Sequence, residues 1–326
     1  MAAHSQANIQ TLLQWAQTFL AKGSINNVQR WQRVTGALLL ESNDDYYSQV
    51  YLEISVLLAH VLKVSRTYLY AWPEQAVSGS QKRQFEALVA RRLKGEPIAY
   101  LVGYKEFWSL PLMVSHEVLI PRSETELLVE CALKCVIASN KKLRVLDLGT
   151  GCGAAALALA NEQPSWEIIA VDKKRSALNI ARQNAKNLAI NNIKFYQSDW
   201  FSVFKEDHRS FNIIVSNPPY VAPQDPHLKW TDSRYEPTEA LVAGENGLQD
   251  LKFIISHATN YLMQEGWLIL EHGFDQAWIL RKWMQSCGFV QIKSVKDLAG
   301  IERIVIGQKT SSSLPTKKSN NLGLTL

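Results

Sequence analysis

The chain has little cysteine, no long apolar run and no large excess of either charge. Four Cys among 326 residues do not make a disulfide framework. Cys131 and Cys135 lie one helical turn apart, but no Cys or His pair at zinc-finger spacing accompanies them. The seven His form no spaced metal set either, so no metal is expected. No stretch approaches the roughly 20 apolar residues of a membrane-spanning helix. The first eight residues lead into a polar-interrupted helical pattern, unlike a signal peptide. These features point to a cytoplasmic protein without a membrane association. The formal charge is +5, from 35 Lys and Arg against 30 Asp and Glu. Three of the positives (Lys309, Lys317 and Lys318) fall in an acid-free end. The rest is close to neutral, which argues against a broad basic face for nucleic acid.

What the chain does have is an ordinary globular balance, 47% apolar and 20% charged, over a length of about two domains. Residues 1–95 read as a helical bundle. Ile9, Leu12, Leu13, Ala16 and Leu20 recur at helical spacing. A second helix covers about 48–63, another starts at Pro73-Glu74, and a further one runs from Gln81 to Leu93. Ser42-Asn43-Asp44-Asp45 reads as a break between helices. Residues 96–120 hold aromatic and β-branched residues around Gly103 and Pro111, the pattern of a hairpin linker. Ser123 to Ser139 reads as a helix. From Arg144 short apolar runs alternate with helical patterns, which predicts a mostly parallel sheet covered on both faces. This α/β domain spans 121–308, and residues 309–326 read as a disordered tail.

Three pieces suggest a ligand site at the ends of these strands. Val145–Leu148 runs into Gly149-Thr150-Gly151-Cys152-Gly153, where glycines let the backbone turn and approach a ligand. The spacing is neither a dinucleotide fingerprint nor a phosphate-cradling loop; a purely structural turn is the alternative. Asp172 ends the next strand and can accept from a ribose diol, or cap the helix near Lys174. Asp199 and Trp200 follow the third strand; Asp199 can bond an adenine amino group, and Trp200 can pack on the ring or simply fill the core.

The sharpest signal is Ser216-Asn217-Pro218-Pro219-Tyr220. Two prolines fix the backbone and hold Asn217 at the edge of the sheet. Its amide oxygen and the Pro218 carbonyl can accept the two hydrogens of a planar NH2 group, while Tyr220 can stack on a flat substrate. The segments DLGTGCG (147–153) and SNPPY (216–220) resemble class I S-adenosylmethionine-dependent methyltransferases that act on amino groups. GEPIAYLVGYKEF (95–107), IPRSETELLVE (120–130), YEPTEAL (235–241), GENGL (244–248), EHG (271–273) and DLAGIERIVIG (297–307) further resemble the peptide chain release factor glutamine N5-methyltransferase family.

That resemblance covers roughly residues 50–308. It implies a Rossmann-like α/β fold, with a mostly parallel seven-stranded sheet and a small N-terminal helical domain that grips the substrate. It implies S-adenosyl-L-methionine bound by Gly149, Thr150, Gly151, Cys152, Gly153, Asp172, Asp199, Trp200 and Asn217. It implies a glutamine side chain held by Asn217, Pro218, Pro219 and Tyr220, with Asn217, Pro218 and Tyr220 at the reacting atoms. The implied partners are class 1 release factors presenting a Gly-Gly-Gln loop, met by a monomer with no direct nucleic-acid binding. A ribosomal-protein glutamine methyltransferase, an adenine methyltransferase and a non-catalytic scaffold are the alternatives. Ser123-Glu124 departs from the family's usual Pro-Asp, Asn246 from its usual Asp, and Lys173-Lys174 is less usual. Arg122 and Glu126 can flank the cofactor, close a domain junction or form an exposed i,i+4 ion pair.

Overall fold

The computed structural model describes residues 7–24, 43–135, 142–204, 210–226, 228 and 232–310. The chain divides into two units. The first takes residues 1–106, 111–120 and 224–241. The second takes residues 107–110, 121–223 and 242–326.

In the first unit, helices α1 (Ile9–Ser24), α2 (Asn43–Leu62) and α4 (Gly79–Leu93) enclose an apolar core. Ile9, Leu13, Ala16 and Leu20 of α1 meet Ile54, Leu57 and Leu58 of α2 and Phe85 and Val89 of α4. A charge buried beside this packing is paired. Arg92 is 2% exposed and makes a forked bond to Glu53, at 2.8 and 2.9 Å. A capping box at Ser78 and Gln81 starts α4, which satisfies two backbone donors at its first turn.

Two expectations are corrected here. No helix starts at Pro73; a short helix α3 (Arg66–Ala71) stops before it. Trp72 precedes a proline and is pushed out of the helical region. The chain then runs extended against the start of α1, with Ile9 donating to the Gln75 carbonyl and Val77 to that of Ala7. Asn43-Asp44-Asp45 opens α2 rather than breaking the chain, as residues suited to a helix N-terminus do.

The stretch read as a hairpin linker begins with a turn of helix, α5 (Ile98–Val102), ended by Gly103 at φ 83°. The hairpin itself is β1 (Tyr104–Phe107) and β2 (Leu110–Met113). Trp108 and Ser109 at its tip both have positive φ, the geometry that suits a two-residue connection. Glu126 holds the Trp108 amide at 2.8 Å, a role the sequence did not suggest. Residues 224–241 belong to the first unit through polar contacts. Glu236 is buried and accepts from the Ile120 amide at 3.1 Å. Arg234 and the Tyr235 hydroxyl both donate to the Lys94 carbonyl.

The second unit carries a seven-stranded sheet in the order β5-β4-β3-β6-β7-β9-β8. Its strands are β3 (Arg144–Leu148), β4 (Glu167–Asp172), β5 (Ile193–Gln197), β6 (Phe211–Ser216), β7 (Leu262–Glu271), β8 (Phe289–Lys296) and β9 (Glu302–Lys309). The first five in sequence pair in parallel; β9 is antiparallel to β7 and β8. Helices α6 (Thr125–Lys134), α7 (Ala154–Glu162), α8 (Arg175–Asn187), α9 (Gln249–Tyr261) and α10 (Ala277–Ser286) complete it.

The central strands are buried on both faces, so they read as continuous apolar runs. Leu146, Leu148, Ile214, Leu268 and Leu270 share one core with Leu251, Ile254 and Ile255 of α9 and Leu280 and Met284 of α10. The helix expected over 123–139 begins at Thr125, and its far end lies outside the described residues. β9 runs through Lys309, whose ammonium donates to the Thr259 and Leu262 carbonyls at 2.6 and 2.8 Å. The expected tail starts later for that reason, and its residues from 311 onward also lie outside the described set.

Candidate active site

Strand order reverses at β3, with β4 on one side and β6 on the other. Open α/β sheets bind ligands outside the carboxyl ends of strands at such a point. Three segments from the sequence reading leave the sheet there: the loop after β3, Asp172 at the end of β4 and Asn217 after β6.

In the loop, a Cβ on Gly151 would meet nothing within 4 Å, whereas one on Gly153 would stand 2.9 Å from Leu157. Gly153 thus lets α7 pack closely on the loop, and Gly151 leaves open space above the backbone. The loop amides are committed within the chain. Gly149 and Thr150 donate to the Val171 carbonyl, each at 2.9 Å, and Gly153 to that of Thr150 at 2.8 Å. Gly151 donates to Asp172 Oδ2 at 2.9 Å. Phosphate recognition at a helix start needs outward-facing amides, and those of Gly149, Thr150, Gly151 and Gly153 are already engaged within the chain.

Asp172 accepts from backbone amides on both sides. Its Oδ1 accepts from the Lys174 amide at 2.8 Å, just ahead of α8, and it also lies against the glycine loop. Each carboxylate oxygen has a further lone pair, so a diol can still be received. Burial raises its pKa, opposed by the Lys174 and Gly151 amides, which favour the anion. The Trp200 ring lies 3.5 Å from where a Gly149 Cβ would stand. Asp199 is more exposed and pairs with Lys173 at 2.9 Å. The Cys152 thiol is buried, which pushes its pKa up to about 12. Its carbonyl accepts from Asn184 at 2.9 Å. Thr150 is also turned inward, onto Asp147 at 2.6 Å.

An open glycine surface, a carboxylate at the strand end and a nearby indole ring fit a ligand with a flat base and a diol. The Asp172 carboxylate beside the loop suits a positive charge on that ligand and opposes a phosphate.

On the other side of β3, the Ser216 hydroxyl donates to the Leu148 carbonyl at 2.7 Å, which ties the end of β6 to β3. Asn217 follows, with its Nδ2 3.1 Å from Thr125 Oγ1. Pro218 is buried, and Pro219 and Tyr220 are half-buried. The Tyr220 hydroxyl donates to Glu271 Oε1 at 3.2 Å. Burial, followed by the charge of Glu271, pushes the Tyr220 phenol far above its ordinary value. The Tyr220 carbonyl accepts from Gln276 at 3.0 Å. Among the described residues no group of three His, Cys, Asp or Glu is placed to hold a metal ion.

Thr125, Glu271, Gln276 and Asp147 were not singled out individually from the sequence. The signal that could have found Glu271 is a lone acid closing the apolar run of β7 at the ligand edge of the sheet.

The parallel sheet with its single reversed strand β9 and glycine loop defines a class I S-adenosylmethionine-dependent methyltransferase fold, and residues 139–318 match the family model described as a methyltransferase domain. Residues 33–103 match the model of the PrmC N-terminal domain. The chain is 48% identical over 277 residues to the release factor glutamine methyltransferase of Aliivibrio fischeri, covering 85% of this chain and 95% of that one. The enzyme of the same description from Vibrio cholerae is 47% identical over 257 residues, 79% of this chain and 89% of the relative. That from Coxiella burnetii is 48% identical over 258 residues, 79% and 91%. The chain belongs to the release factor glutamine methyltransferase family.

Proposed function

We propose that this protein methylates the side-chain amide nitrogen of the glutamine in the Gly-Gly-Gln motif of bacterial-type class 1 release factors. The observation that carries this reading is the Asn217–Tyr220 turn, set at the end of β6 next to the β3 loop in a chain of this family. S-adenosyl-L-methionine, bound over that loop, supplies a methyl group on a sulfonium.

Gly149, Thr150, Gly151, Cys152 and Gly153 form the surface under the cofactor, largely through backbone. Asp172 receives the ribose diol. Trp200 would pack on the base, and Asp199 would accept from its amino group. Asn217 lies between the cofactor and substrate sites.

An amide nitrogen is a poor nucleophile because its lone pair is delocalised into the carbonyl. Asn217 Oδ1 and the Pro218 carbonyl accept its two hydrogens. This fixes the nitrogen in line for transfer. The same two bonds strengthen as positive charge grows on nitrogen, so they favour the transition state over the ground state. As the N–C bond formed, the S–C bond would break to leave a neutral thioether, and the surplus proton on nitrogen would pass to water. Tyr220 stays a neutral phenol and offers its ring to the flat amide, with Pro219 holding the turn rigid.

The enzyme acts as a monomer in the cytoplasm, with a folded protein rather than nucleic acid as its partner. No helix among the described residues is long and apolar enough to cross a membrane.

The test uses purified protein, labelled S-adenosyl-L-methionine and unmethylated release factor, with the product mapped by mass spectrometry. One methyl on the Gly-Gly-Gln glutamine is the expected result. An unlabelled release factor beside a labelled ribosomal protein or nucleic acid would overturn the reading.

A further inference from the structure

The two ends of an asparagine amide are alike in size, yet only one orientation of Asn217 presents an acceptor to a substrate NH2. Within the turn itself nothing chooses between them. We propose that Thr125 and Glu271 are positioning residues whose hydrogen bonds run one way, from Asn217 through Thr125 to Glu271, and lock the Asn217 oxygen toward the substrate. This rests on the reading of Asn217 as the amide clamp.

The direction of the chain follows from counting hydrogens. Thr125 Oγ1 lies 2.7 Å from Glu271 Oε2, and Glu271 is 1% exposed. Burial raises the Glu271 pKa to about 7; above that pH its carboxylate only accepts, so the single hydroxyl hydrogen of Thr125 is committed to it. What Thr125 Oγ1 still offers is lone pairs. The Asn217 atom at 3.1 Å must therefore be the NH2 end. Turning the amide over would place two acceptors face to face with no hydrogen between them, in a buried place where that is most costly.

Glu271 Oε1 receives the Tyr220 hydroxyl, so a single carboxylate holds both Asn217, through Thr125, and Tyr220. The parts come from the start of α6, the end of β6 and the end of β7, all in the second unit.

The test measures methyl transfer to unmethylated release factor with the full chain, separating kcat from KM. Thr125→Val keeps the side-chain shape and removes the acceptor. It is expected to lower kcat about thirtyfold, within the range of a lost transition-state hydrogen bond. Cofactor affinity by calorimetry should stay within about twofold, and Thr125→Ser should recover kcat to within about threefold. In an Asn217→Ala background, Thr125→Val should cost less than about twofold more, because nothing remains to orient. Should Thr125→Val melt below the assay temperature, Thr125→Ala takes its place.

A wild-type kcat in the hydroxyl-less variant, or an undiminished loss in the Asn217→Ala background, would overturn the positioning role and leave the clamp standing. A wild-type kcat for Asn217→Ala alone would instead remove the clamp.

Discussion

Asp147 is a carboxyl placed where ionisation is opposed. It is 3% exposed, and burial, with a smaller contribution from Asp172, raises its pKa to about 7 against an ordinary 3.8. The folded state therefore binds its proton more tightly than the unfolded chain does. Stability from this group is fully present below about pH 4 and is lost as pH rises to about 7. Asp147→Asn keeps an oxygen for the Thr150 hydroxyl and carries no charge. It should raise the urea midpoint more at pH 8 than at pH 5; equal gains at both would contradict the assignment. At Asn217, substitution by Ala should lower kcat by about 10²–10³, with cofactor affinity by calorimetry falling less. Asn217, Pro218 and Asp172 were legible in the sequence because local chemistry marks them: prolines fix a turn, and an acid ends an apolar strand. Thr125 and Glu271 were not. They lie 92 positions before Asn217 and 51 positions after Tyr220, and no local pattern joins such distances.

At the scale of elements, the period of the sequence carried most of the second unit. β6 falls on Phe211–Ser216, as its continuous apolar run indicates. Errors gathered where tertiary contact decides. Pro73 suits the first turn of a helix, yet here it sits in a turn closed by the Gln75 amide on the Trp72 carbonyl, and its own carbonyl accepts from Gln10 of α1. The turn Gly244–Gly247 holds Glu245, Asn246 and Gly247 at φ 51°, 56° and 85°. Gly247 closes against the substrate turn: a Cβ there would stand 2.0 Å from the Tyr220 carbonyl oxygen. Gly247→Ala meets both a forbidden contact and an unfavourable φ. It should cost about 2 kcal/mol or more, seen as a lower urea midpoint, and should weaken methyl transfer by moving Tyr220.

At the scale of the whole molecule, periodicity separates a helical stretch from an alternating one, but gives no hint that residues 224–241 join the first unit. They join through Glu236 on the Ile120 amide and through Arg234 and Tyr235 on the end of α4. His116 adds a link, 3.1 Å from Glu96 and 3.4 Å from the Tyr235 carbonyl. A fragment of residues 1–120 therefore leaves polar groups without their partners. Its amides should exchange faster with deuterium than the same amides in the full chain; equal protection would show that 224–241 adds nothing.

The engaged amides of the Gly149–Gly153 loop matter beyond the site itself. ATP and NAD share an adenosine with the methyl donor and are abundant wherever proteins are made. With the Gly149, Thr150, Gly151 and Gly153 amides committed and Asp172 beside them, a polyphosphate tail finds few donors and meets like charge. Competition by ATP or NAD for the donor's place should therefore be weak, and strong inhibition of methyl transfer by either would contradict that.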